Sequence, residues 1–196
     1  MNACPEDTDA FEQQVKTVCE LYQSASALND QNIRVVSTDE MTGIQALERA
    51  APTQPMRPAQ VQRQEFEYIR HGTLSLIANW QIAQGGIGLA SLGATRTEFD
   101  FANHVARTIE TAPDDGWIFV LDQLNTHQSV SWVRLVAACC EIPLDLGIKG
   151  KSGILKSMAS RAAFLSDPTH RIRFVYVPKH TSWLNQIECW FNVSSG

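Results

Sequence analysis

The run FVYVPKHTSWLNQIECWF, residues 174–191, spells out a strand, a break and the start of a helix. Phe174 to Val177 is aromatic and β-branched, the composition of a buried strand. Pro178 ends it, because proline donates no backbone hydrogen bond. Thr181 or Ser182 can cap the helix that follows. On that helix Trp183, Ile187, Trp190 and Phe191 fall at i, i+4, i+7 and i+8, a single apolar face. Glu188 sits in the middle of it. A carboxylate there reaches water at the flank or has a cationic partner, since burying it alone is expensive.

Two further acids occupy comparable places. IRVVSTDE, residues 33–40, is a β-like run ending at Asp39, and WIFVLDQLNTH, residues 117–127, is an unbroken apolar strand ending at Asp122. Taken singly, each has a plainer role: a strand-end Asp caps the next turn, and a helical Glu pairs with a Lys. Taken together, two strands ending in Asp and a helix carrying Glu can converge at one edge of a sheet. Three carboxylates in one place repel one another unless a divalent cation neutralises them, which suits Mg²⁺ and phosphoryl transfer. Glu40, beside Asp39, faces the other side of the strand and is left out of the set.

The remaining chain supplies the scaffold. Residues 1–32 read as a peripheral helical segment, broken by LNDQN. Strand one covers 33–38, with a turn permitted at Gly43, and the three-proline stretch 50–58 is irregular. From Phe66 to Trp80, Leu74, Leu76, Ala78 and Trp80 alternate with Ser75, Ile77 and Asn79, which predicts strand two. Gly85-Gly86 turns it into strand three, Ile87–Leu92. Thr95 to Glu98 reads as a capping box for a helix with Phe101, Ala102, Val105, Ala106 and Ile109 on one side. Trp117–Leu121 lacks polar alternation and belongs in the middle of the sheet. Helices follow at 131–140 and 154–165, and a last strand at 171–177.

At 196 residues and 44% hydrophobic content the chain builds one domain with a sizeable core. Its net charge of -5 argues against a protein devoted to coating DNA. The charge is uneven, however. Residues 145–180 hold Lys149, Lys151, Lys156, Arg161, Arg171, Arg173 and Lys179 against only Asp145 and Asp167. A basic stretch beside an acidic cluster fits a polyanionic substrate. The five cysteines are odd in number and without zinc-type spacing, so zinc and a disulfide framework are set aside. Reduced thiols in a cytoplasmic protein are the simple reading. No apolar run approaches the length of a membrane span.

The element order β-β-β-α-β-α-β-α is that of a ribonuclease-H-like α/β fold, a mixed five-stranded sheet flanked by helices. VVSTDEMTGIQALER, FVLDQLNTHQS and VPKHTSWLNQIECWF together resemble the DDE transposases of bacterial insertion sequences, in the mariner-related branch. The resemblance spans roughly residues 18–192. It implies a catalytic domain over 33–196, with Asp39, Asp122 and Glu188 as a catalytic triad holding two ions, Mg²⁺ or Mn²⁺. It implies double-stranded DNA as the partner, both element ends and target, bound by a homodimer associated with the nucleoid. It implies strand cleavage followed by strand transfer. The same triad in a nuclease or resolvase without strand transfer is the alternative, as is a remnant that binds DNA without catalysis. Relatives carry a helix-turn-helix before the first strand and a longer last helix, so the resemblance also implies a chain shortened at both ends.

Other residues are candidates for contacting DNA. Lys179 and His180 precede the Glu188 helix and can meet phosphates near the scissile bond. Asn125 and His127 can position a ligand or phosphate, and Lys149 and Lys151 lie in the Gly/Lys-rich segment. Asn185, three residues before Glu188, shares its side and can orient its carboxylate.

Overall fold

The computed structural model describes residues 8–51, 67–123, 125–143 and 145–194. In chain order the elements are α1 (Thr8–Asn29), β1 (Ile33–Arg49), β2 (Tyr68–Gln81), β3 (Gly86–Gly93), α2 (Glu98–Glu110), β4 (Gly116–Leu121), α3 (Val130–Cys139), α4 (Met158–Leu165), β5 (Ile172–Tyr176) and α5 (Gln186–Ser194). Five strands form one sheet in the order β3-β2-β1-β4-β5. β1 pairs antiparallel with β2 and parallel with β4, and β4 pairs parallel with β5. A hairpin beside parallel strands, in this order, is the ribonuclease-H-like arrangement that the element order predicts.

Strand alternation divides the core in two. On one face Val36, Trp117, Phe119, Leu121 and Phe174 pack with Phe101, Val105, Trp132, Val133 and Leu165 from the helices. On the other, Val35, Ile118 and Val120 meet Val18, Leu21 and Ala25 of α1. Ala78 of β2, with Leu76 and Trp80, packs against Ile187 and Phe191 of α5. Trp117 to Leu121 are all fully buried or nearly so, as the unbroken apolar run requires of a strand paired on both sides.

Several elements depart from the sequence reading. β1 does not stop at Asp39. It continues to Arg49 against β2, with register shifts between Met41 and Ile44 and between Gln45 and Leu47. Gly43, at φ +77°, permits the first shift, which explains why the segment reads as a turn. What ends near Asp39 is the parallel pairing with β4, whose last partner is Ser37. The α2 capping box is two residues later than expected: Thr97 is the N-cap and Asp100 the third helical residue. The buried face of α2 includes His104 and Thr108, while Ala102 and Ala106 are only partly covered. The last helix begins at Gln186, after a separate 3-10 turn at Ser182–Leu184. Trp183 therefore leaves the α5 face and stands 64% exposed. The proline stretch from residue 52 onward lies outside the described residues, as does Phe66.

Candidate active site

Parallel pairing carries β1 and β4 in the same direction, so the end of the paired part of β1 and the end of β4 open at one edge of the sheet. In open α/β sheets that edge is where ligands bind. Asp39 stands where β1 leaves β4, and Asp122 follows the last residue of β4. Glu188 lies in the first turn of α5, which packs against β1 and β2.

Asp39 is 5% exposed. Its Oδ1 accepts the Glu40 backbone N–H at 2.8 Å, and its Oδ2 accepts from Asn185 Nδ2 at 2.9 Å. Burial pushes its carboxyl up to about 8, and the charges of Asp122, Glu40 and Glu188 push the same way against the Glu40 N–H. All four acids therefore lie within electrostatic reach of one another around Asp39.

Asn185 joins α5 to β1. Its side chain is fully buried; Nδ2 also donates to the Thr38 carbonyl at 3.3 Å, and Oδ1 accepts from the Ser37 hydroxyl. Ser37 Oγ in turn accepts the Ile187 N–H at 2.9 Å. This ties down the start of the helix bearing Glu188, where backbone N–H groups lack intrahelical partners. Tyr22 of α1 donates to the Leu184 carbonyl at 2.8 Å, bracing the approach from the other side. Asn185 thus holds Asp39, rather than the expected Glu188.

His127 is also fully buried, so its expected contact with a phosphate gives way to two carboxylates. Its Nδ1 donates to Asp122 Oδ1 at 2.7 Å. Its Nε2 lies 3.3 Å from Glu40 Oε2, an ion pair by distance whose angle is poor for a hydrogen bond. Burial alone lowers an imidazole's proton affinity, but Asp122 and Glu40 outweigh it and hold His127 at about 9. Glu40 does face away from Asp39, as strand alternation predicts, yet it joins the same polar centre through His127. Its signal in the sequence is the adjacent Asp-Glu pair at the end of a buried run.

Lys179 and His180 are exposed in the turn after β5, and Lys149 and Lys151 are exposed between α3 and α4. The side chain of Asn125 lies outside the described residues. Among the described residues no three His, Cys, Asp or Glu side chains are gathered closely enough to hold a metal ion. No described helix is long and apolar enough to cross a membrane. A cavity of about 640 Å³, lined by Cys139, Cys140, His170 and Arg171, lies at the N-terminal ends of β4 and β5, away from the acids.

A sheet in the order 3-2-1-4-5, with one acid where its first strand leaves the parallel pairing and another just after its fourth strand, defines a ribonuclease-H-like protein with a carboxylate-lined site. Within that class the sequence model of the DDE superfamily endonucleases matches residues 34–195, and the chain belongs to that family. No curated protein matches it. Among solved structures, the mariner Mos1 paired-end complex with Mg is 14% identical at a TM-score of 0.42, over 98% of this chain and 57% of that one. The Mos1 strand transfer complex is 15% identical at 0.38, over 70% and 42%. The Mos1 paired-end complex with Mn is 16% identical at 0.39, over 96% and 56%. The chain thus spans about half the length of the transposase chains it matches.

Proposed function

We propose that this chain is the catalytic domain of a transposase, carrying out metal-dependent cleavage and strand transfer of DNA for a bacterial insertion element. Membership of the DDE endonucleases supports the reaction class. The observation that carries the reading is the setting of Asp39: a carboxyl only 5% exposed and held by Asn185, whose pKa is raised first by burial and then by the charges of Asp122, Glu40 and Glu188. Such a cluster is short of positive charge, and carboxylate oxygens are the donors that Mg²⁺ and Mn²⁺ prefer. The donor set fits the ions in chemistry and in charge. Because no three acids among the described residues are gathered closely enough as they stand, holding an ion requires side-chain adjustment.

Asp39, Asp122 and Glu188 would hold the metal, two ions in all. When bound, it would supply Lewis-acid stabilisation of the oxygens that attack and leave phosphorus. The protein's own share is placement. Asn185 fixes Asp39 and Ser37 fixes the start of α5, so the acids from β1 and α5 are set relative to each other before any ion arrives. Exposed Lys179, His180, Lys149 and Lys151 offer positive charge and N–H donors to the phosphates of double-stranded element ends and target. A homodimer on DNA brings two such sites to two ends.

The test is a cleavage assay on DNA carrying the element ends, with Mg²⁺ or Mn²⁺. Wild type nicks and then joins strands, and Asp122→Asn loses both activities. Nicking that survives in Asp122→Asn rules the reading out. Cut products without joined ones assign the nuclease alternative, which the endonuclease family also accommodates.

A further inference from the structure

We propose that His127 and Glu40 act as a buried positioning pair for Asp122, an assignment that rests on Asp122 being a metal ligand. Asp122 follows the end of β4, so no strand ladder fixes it on both sides. His127 does the fixing. It sits in a 3-10 turn, Asn125–Gln128, whose main chain is held at two points. The Tyr176 hydroxyl donates to the His127 carbonyl at 2.8 Å, and Arg161 Nε donates to the Gln128 carbonyl at 2.7 Å. The ring packs on Phe101 and Trp132, with centroids 4.4 and 5.6 Å away. From this fixed base Nδ1 reaches Asp122 Oδ1 at 2.7 Å.

Glu40 completes the arrangement from behind. Its side chain is 7% exposed, and a carboxylate that deep requires a positive or hydrogen-bonding partner. Neither Glu40 Oε2 nor His127 Nε2 has a hydrogen-bond partner among the described residues, and the two lie 3.3 Å apart. Glu40 therefore orients the imidazole, and the imidazole orients Asp122. β1 thus serves the site twice. Asp39 contributes from one face of the strand, while Glu40 acts through His127 from the other. Such second-layer partners set ligand orientation, and losing one typically weakens metal affinity about 10–100-fold.

Metal affinity is read as thermal stabilisation of the DNA-free protein during Mn²⁺ titration. His127→Phe keeps ring packing but removes both polar contacts. It is expected to raise the apparent Kd for Mn²⁺ about 10–100-fold, and His127→Gln, which restores a donor, recovers part of the loss. Glu40→Gln weakens binding less, and adds nothing once His127 is already Phe. Should His127→Phe fail to fold, His127→Gln and Glu40→Gln singly and together make the same comparison. Wild-type affinity in the His127 variants overturns the proposal. So does a Glu40→Gln effect of equal size with and without His127, which makes Glu40 a direct ligand. Absence of any Mn²⁺ response in the wild type overturns the metal reading itself, and this assignment with it. A normal wild-type response beside unaffected variants overturns the positioning pair alone.

Discussion

The Asn79 amide, 1% exposed on β2, hydrogen-bonds to three side chains. Its Oδ1 accepts from Thr38 Oγ1 at 2.7 Å and from His104 Nε2 at 3.0 Å, and its Nδ2 donates to Thr108 Oγ1 at 2.7 Å. With Nε2 donating, Nδ1 of His104 accepts from the Ser91 hydroxyl at 2.8 Å, so the ring is neutral. Burial first, and then the Arg107 charge, lower its pKa from 6.5 to about 4. The folded-state value lies below the unfolded one. The network's contribution is therefore complete above about pH 6.5 and is lost as pH falls towards 4. Between pH 7 and 4 the wild type should lose on the order of 3 kcal/mol more stability than His104→Leu, which cannot titrate. Urea unfolding at both pH values measures this, and parallel pH dependences for the two proteins refute it. Nothing in the sequence singles out Asn79 or His104, because the partners come from four separate elements. Asp39, Asp122 and Glu188 stand out because each occupies a recognisable position in a strand or helix pattern. Alternation gives the face to which Glu40 points, but not that a loop histidine, His127, meets it there.

At the scale of elements, local chemistry was readable where a single period dominated. The alternation of β2, the Gly85-Gly86 turn and the apolar run of β4 each specify their element without help from elsewhere. The second half of β1 was not readable, because its two register shifts scramble the alternation and Gly43 imitates a turn. The start of α2 shows how near-equivalent signals compete. Thr95 and Thr97 both precede an acid by the right distance or close to it, and Asp100 Oδ2 accepts from both hydroxyls at 2.8 Å. Only Thr97 receives the Asp100 N–H on its own side-chain oxygen, which makes it the cap. Thr97→Ala should cost about 1 kcal/mol and Thr95→Ala less. Thermal unfolding of the two variants checks the order, and a larger loss at Thr95 would move the helix start back to the position read from the sequence.

For the molecule as a whole, charge is the property that reaches furthest. An overall charge of -5 repels a polyanion, so binding must depend on local basic surface. Lys149, Lys151 and Lys179 are exposed and belong to the basic stretch at residues 145–180. If DNA is the partner, each phosphate contact contributes about 0.9 to the slope of log affinity against log salt. Lys179→Ala should then weaken binding to all DNA sequences alike and reduce that slope by about 1. Fluorescence anisotropy over a salt series measures it, and an unchanged slope removes Lys179 from the contact surface.

Asn185 is the amide partner of a carboxylate encoded 146 residues earlier, and that separation governs how the protein is made. On the ribosome β1 emerges well before α5. Until α5 docks, Asp39 lacks its Asn185 bond, and Ala78 and Trp80 lack their apolar cover. A chain stalled before residue 185 therefore presents a sticky sheet face and an unfinished acidic centre to whatever chaperone or protease meets it first.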